Sequence, residues 1–226
     1  MQRENERGFM KKILTTLIFI FGLISSVNLP AKADVMPYYV NNINTNSIGV
    51  YQASKNIKIY KEPNEHSPLL LDVTWDSQTF DSPEVSASNL FIVFLPRKEL
   101  AFLIVTDETE NWVEVVFCKN GNQKGWVKKD DEYKFQNWRT FYNWYGRKYG
   151  LYFMKDAPEF TQSMYGSNSD DAQKIDKINL PQTLKMTAIK GNWLLVNVFD
   201  MDKLVKIGWI KWRNTSGEIY LFPAIK

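Results

Sequence analysis

The sequence predicts a mainly β protein in which two small β units are joined by a short aromatic helix. Three observations predict it. Asn111-Trp112-Val113-Glu114-Val115 is followed by Gly125-Trp126-Val127, and Asn192-Trp193-Leu194-Leu195-Val196 by Gly208-Trp209-Ile210. Each copy opens an alternating strand with a Trp, turns through polar residues and closes on Gly-Trp-aliphatic. The first of these turns contains Asn120-Gly121, the pair that supplies the positive φ angles of a tight hairpin. Between the copies, Phe135, Trp138, Tyr142, Tyr145 and Tyr149 recur at steps of 3, 4, 3 and 4, which is helical spacing.

Residues 1–33 read as a signal peptide. Lys11 and Lys12 precede the apolar run 13–24, broken only by Thr15, Thr16 and Gly22, and Ala31-Lys32-Ala33 follows. A positive n-region, an apolar h-region and an A-x-A site together mark a secretory signal. The run falls short of the roughly 20 apolar residues of a transmembrane helix. No membrane span is therefore expected after cleavage, and retention as an N-terminal anchor is the alternative. The expected location is secreted or periplasmic, at the cell envelope.

The net charge of +3 owes to this segment, which holds five of the 28 basic and two of the 25 acidic residues. The remaining 193 residues carry 23 of each. That balance argues against nucleic acid as a partner, since counterion release needs a basic face. Length allows two modest domains. The single Cys118 permits no intramolecular disulfide, so the exported chain must stand on its core.

The elements follow in order. Residues 34–56 are polar and Asn-rich and read as a leader. The first unit, 57–134, starts with a strand over Ile57, Ile59 and Tyr60. A Pro-bounded loop, 61–68, leads into a second strand at 69–71. A polar stretch follows, then the apolar runs 89–95 and 100–106, a turn, the Trp112 strand and the Gly125 strand. Residues 135–149 form the linker helix, with Asp130 or Asp131 as its cap and Gly146 near its end. The second unit, 150–226, has strands at 151–154 and 172–178, a loop at 165–171, strands at 184–189, 193–199 and 205–212, and a last one at 219–222.

The copies are unequal. Trp112 and Trp193 are 81 residues apart, and Trp126 and Trp209 are 83 apart. Matching Tyr60 with Tyr165 gives 105, so the first copy carries an insertion of 24 residues around 72–96. The insertion reads as an extra hairpin.

The order of strand, loop, strand, Trp-led strand, polar hairpin and Gly-Trp strand resembles the bacterial SH3 domain. The first copy carries it on Ile57-Lys58-Ile59-Tyr60-Lys61-Glu62-Pro63, Asn111-Trp112-Val113-Glu114-Val115 and Gly125-Trp126-Val127. The second carries it on the Trp193 and Gly208-Trp209 segments. The resemblance implies two small SH3-like β-barrels in tandem and an exported binding role, often at the cell wall. The first loop lacks the family's Asn-Val-Arg start, and the second copy has no version of it.

Catalytic constellations are missing from the sequence. One His (His66) and one Cys (Cys118) make neither a nucleophile pair nor a zinc site. There is no phosphate-binding Gly loop. No catalytic residue, metal or cofactor is expected. Small barrels bind between their loops through exposed aromatics flanked by polar groups. The candidates are Tyr60, Glu62, Trp75 and Trp126 in the first copy, and Tyr165 and Trp209 in the second. Trp75 is expected to be exposed, at the edge of the insertion. Trp112 and Trp193 alternate with Val and Leu and read as core. The expected function is binding of cell-wall peptide or an envelope protein. The alternatives are a protein–protein scaffold of the envelope and a hydrolase of unrecognised type.

Overall fold

The computed structural model describes residues 46–225 apart from Asp156. The predicted signal peptide and the leader up to residue 45 lie outside them. The described chain is mainly β, arranged as two antiparallel sheets. The first contains β1 (Gly49–Gln52), β2 (Asn56–Tyr60), β3 (Leu69–Trp75), β4 (Phe80–Asp81), β5 (Val93–Leu95), β6 (Leu100–Glu108), β7 (Trp112–Cys118), β8 (Gln123–Lys128) and β9 (Phe135–Asn137). A helical turn, α1 (Ala87–Leu90), precedes β5. The second sheet contains β10 (Leu151–Phe153), β11 (Ser163–Tyr165), β12 (Lys174–Lys177), β13 (Thr183–Lys190), β14 (Trp193–Asp200), β15 (Lys203–Lys211) and β16 (Leu221–Pro223).

The two sheets follow one path. The first runs β4-β3-β2-β8-β7-β6-β1-β9, with β5 added to β6. The second runs β12-β11-β15-β14-β13-β10-β16. Taken in chain order, β10 to β16 reproduce β1, β2, β3, β6, β7, β8 and β9 strand for strand. What the first sheet adds is everything between Trp75 and Leu100: β4, α1, β5 and a 3-10 turn at Pro96–Lys98. In the second sheet only residues 178–182 separate β12 from β13. Both paths are open, ending on β4 and β9 or on β12 and β16.

Three sequence expectations are corrected. Residues 49–52, assigned to the polar leader, form β1, a strand held between β6 and β9. Val50 and Tyr51 are buried there, because a four-residue strand needs only two apolar side chains to cover both of its faces. The apolar run 89–95 is not one strand: 87–90 make α1 and only 93–95 pair with β6. The linker helix α2 begins at Trp138, since Phe135–Asn137 pair with β1. Its cap is Asn137, not Asp130 or Asp131, with the Asn137 side chain accepting a bond from the Thr140 N–H at 2.9 Å. α2 consists of Trp138–Phe141, a π-helical turn at Tyr142–Gly146 and Arg147–Tyr149.

Two apolar clusters hold these elements. One lies within the first unit, where Ile57, Ile59, Val73, Leu103, Val105, Val113 and Val115 meet. The other joins both sheets through α2: Val50, Phe102 and Ile104 of the first sheet share it with Leu194, Val196 and Ile210 of the second, around Trp138, Phe141 and Tyr142. β6 is therefore buried on both faces, with all of 101–105 at 0% exposure. That explains its unbroken apolar run, where a half-exposed strand would alternate. Each of the larger side chains there, Phe102, Leu103, Ile104 and Val105, contributes about 1.5–3 kcal/mol. The polar ends of two of the central aromatics are satisfied. Trp138 Nε1 donates to the Ser47 carbonyl at 2.9 Å, and Tyr142 OH to the Leu221 carbonyl at 2.5 Å. Among the described residues, no helix is long and apolar enough to cross a membrane.

Candidate functional site: a repeated aromatic face

The Gly-Trp pair is explained by the strand that lies beside it. β2 meets β8 at one rung, Tyr60 opposite Trp126. β11 meets β15 at one rung, Tyr165 opposite Trp209. A Cβ on Gly125 would fall 2.5 Å from Ile59 Cγ2 and 3.0 Å from the Tyr60 carbonyl. A Cβ on Gly208 would fall 2.9 Å from Met164 Cε. Glycine is needed for the close approach, and the next residue, the Trp, then faces outward by strand alternation.

Around that rung the same groups gather twice. In the first unit Tyr60 packs edge-on against Trp112, with centroids 5.7 Å apart at 88°. Trp112 stands opposite Lys128 in the β7–β8 ladder, and Lys128 Nζ bonds Glu65 Oε2 at 3.0 Å. In the second unit Tyr165 packs edge-on against Trp193, at 5.2 Å and 82°. Trp193 stands opposite Lys211, whose Nζ lies 5.0 Å from the Trp193 centroid and pairs with Asp170. Tyr, two Trp, a Lys and an acid from the following loop recur at one face of each sheet.

The candidates fall differently on this frame. Tyr60, Trp126, Tyr165 and Trp209 are half-buried and come together in their pairs. Glu62 is exposed in the 61–68 loop, where its N–H donates to Ser67 Oγ at 3.0 Å. The loop acid that reaches the aromatic face is Glu65. Trp75 is overturned as a surface candidate, being 4% exposed. Its Nε1 donates to the Ser54 carbonyl at 2.8 Å, and its ring meets Phe91 and Phe94. The insertion that flanks it in sequence folds back over it. Trp193 is buried as core, as the alternation implies, whereas Trp112 is only half-buried.

Reasoning on aromatics alone passes over Lys128, Lys211, Glu65 and Asp170. The repeat offsets contain the signal. Lys128 and Lys211 are 83 apart like their Trp neighbours, and Glu65 and Asp170 are 105 apart like the tyrosines. It also passes over Trp144, which is 66% exposed on the outer side of α2.

Beside the first face lies a groove of about 260 Å³ lined by residues that include Asn56, Lys58, Tyr60, Glu65, Lys128 and Asp130. Its floor is fixed by the Asp130 N–H, which donates to Tyr51 OH at 2.7 Å. Burial raises the Tyr51 phenol above its usual pKa. The groove offers flat apolar contact, three lysines (Lys58, Lys128 and Lys129) and two carboxylates (Glu65 and Asp130) within one short span. The two faces differ in their surroundings. Glu114, paired with Lys124 at 3.2 Å, is replaced by Leu195, and Lys124 by Ile207. The second face is the more apolar. Cys118 stands at the far end of the β7–β8 ladder from Trp112 and Lys128, so it is not part of this face. No protein-family model, curated protein or solved structure matches the chain.

Proposed function

We propose that this chain is an exported, non-enzymatic binding protein in which two divergent SH3-like β units recognise cell-wall peptide or an envelope protein. The observation that carries this reading is the repeated Tyr–Trp–Trp–Lys–acid face, at Tyr60, Trp112, Trp126, Lys128 and Glu65 and again at Tyr165, Trp193, Trp209, Lys211 and Asp170. A constellation kept in two sheets while the neighbouring Glu114 and Lys124 give way to Leu195 and Ile207 is one that binding would retain. The extended sheets, with β5 and α1 added to the first, are read as SH3-like units opened from the small closed barrel. Incubation of the protein with purified peptidoglycan tests the reading. Retention that falls when Tyr60 and Tyr165 are both replaced by Ala is the expected result. No retention of the wild-type protein sinks the cell-wall version.

A second reading, a scaffold of the envelope, has its own support. The β14–β15 hairpin exposes Met201, Leu204, Val205 and Ile207. In the first unit the corresponding hairpin is covered: Lys119 at its tip donates to the Ser88 and Phe91 carbonyls of the insertion. The bare hairpin of the second unit would suit a protein partner. Concentration-dependent association lost on Ile207→Lys would favour it.

A further inference from the structure

Where the two sheets meet, a polar cleft of about 330 Å³ is lined by Asn46, Ser47, Asn192, Arg213, Asn214, Thr215 and Gly217. None of these seven is acidic, and Arg213 brings the one charge. Its guanidinium is half-buried and fixed on three sides. Nε donates to Asn192 Oδ1 at 2.8 Å, Nη1 donates to the Ser47 carbonyl at 3.1 Å, and the group lies 4.6 Å over the Trp212 ring. The remaining N–H groups, both on Nη2 and the second on Nη1, have no partner among the described residues.

Among the described residues no carboxylate pairs with Arg213, and a half-buried cation without a counter-charge is costly. Burial lowers the Arg213 pKa, and the ionisable group that bears on it is Tyr142. Tyr142 is itself pushed well above its usual pKa by burial and stays neutral. The carboxylate of the adjoining turn, Glu218, accepts at Oε2 from Asn214 Nδ2 at 3.0 Å and from Tyr220 OH at 3.4 Å.

The walls are held in place before any ligand arrives. Ser47 is buried and its carbonyl also takes the Trp138 indole N–H. The 214–218 turn is closed by bonds from the Glu218 N–H and Ser216 Oγ to Asn214 Oδ1, at 2.9 and 2.8 Å. Further donors line the rim: the Thr215 hydroxyl and the Asn46 amide make no hydrogen bond among the described residues. A planar fork with spare donors matches a carboxylate.

We propose that this cleft is an oxyanion subsite that takes the terminal carboxylate of a peptide on the free edge of Arg213, with the Thr215 hydroxyl as a second donor. It shares no lining residue with the groove at Tyr60, so it stands or falls apart from the aromatic faces. Inorganic phosphate offers the same chemistry from another source.

Calorimetric titration of the full chain with N-acetyl-Ala-Ala, with its C-terminal amide and with inorganic phosphate tests the proposal. The free acid is expected to bind and the amide to bind about tenfold more weakly or worse, the usual cost of losing a charge-assisted pair. Arg213→Lys, which keeps the charge and loses the fork, is expected to weaken the acid about tenfold. Thr215→Val tests the rim without touching the bonds that fix Arg213, and is expected to weaken the acid while thermal stability stays unchanged. Tyr60→Ala with Tyr165→Ala is expected to leave acid binding intact, whatever it does to peptidoglycan retention. Binding of phosphate but not of the acid overturns the peptide source and keeps the oxyanion chemistry. No binding of either probe, or equal binding by wild type, Arg213→Lys and Thr215→Val, overturns the subsite.

Discussion

Tyr60 and Tyr165 are 105 residues apart in the chain and occupy one position in two sheets. Each is the rung through which a short strand joins the Trp-bearing hairpin, opposite Trp126 and Trp209 respectively. Each also turns its ring edge-on to the Trp that opens the hairpin, Trp112 or Trp193. The pairing fixes both register and face.

Removing these rings should cost binding more than folding. Tyr60→Ala or Trp126→Ala is expected to weaken ligand retention by about 1–2 kcal/mol, roughly 5- to 30-fold, as truncation of an aromatic anchor does. The Tyr165 and Trp209 variants should act on the second face alone, and the double variant Tyr60→Ala with Tyr165→Ala should abolish retention. Sedimentation with purified peptidoglycan measures all of these.

Trp75 should behave in the opposite way. Trp75→Ala removes a buried indole, its bond to the Ser54 carbonyl and its contacts with Phe91 and Phe94. A loss of about 3–5 kcal/mol of stability is expected, read as a lower midpoint in urea unfolding. Trp144→Ala, at an exposed position, should stay within about 0.5 kcal/mol of wild type.

The two glycines of the repeat should not be equivalent. Gly125→Ala places a Cβ against Ile59 and the Tyr60 backbone, while Gly208→Ala meets the flexible end of Met164. Overpacking costs about 1–3 kcal/mol when the surroundings cannot give. Gly125→Ala is expected at the top of that range and Gly208→Ala below it, in paired thermal melts.

Lys119 makes stability depend on pH. Its burial lowers the pKa to about 7, while an unfolded lysine titrates near 10.4. Between these values the unfolded chain binds the extra proton, so stability should rise with pH from about 7 to about 10, by up to about 1.4 kcal/mol per unit. Lys119→Met should flatten that slope. It also removes the bonds to the Ser88 and Phe91 carbonyls, so hydrogen exchange at 87–92 should accelerate. Denaturant titrations at pH 7, 8 and 9 and exchange mass spectrometry check both outcomes.

Much of the strand content was legible because β7, β8, β14 and β15 alternate or carry turn residues at their ends. β6 was legible as a continuous apolar run. β1 and β11 were not. Each is three or four residues long, too short for a period to register, and each depends on a ladder partner far away in sequence, β6 and β9 for β1 and β15 for β11. The start of α2 was misplaced for a related reason. Phe135 fits the helical spacing, yet Phe135–Asn137 gain more by pairing with β1. Trp75 was misread because the residues after it are polar, while the residues that bury it, Phe91 and Phe94, lie beyond that polar stretch.

By itself the sequence determined the duplication, its unequal offsets and the identity of the aromatic pairs, since these are matters of spacing along the chain. Only the tertiary structure decided that Trp75 is core and that Trp112 is half-buried. It also decided that Glu65, not Glu62, reaches the face, and that one apolar cluster around α2 joins the two sheets. Burial depends on what a distant segment covers, and the position of a loop acid depends on where the neighbouring strand ends. The opening Trp signatures identify the repeated fold. The groups that the fold brings to those rings, Lys128 with Glu65 and Lys211 with Asp170, give the face its chemistry.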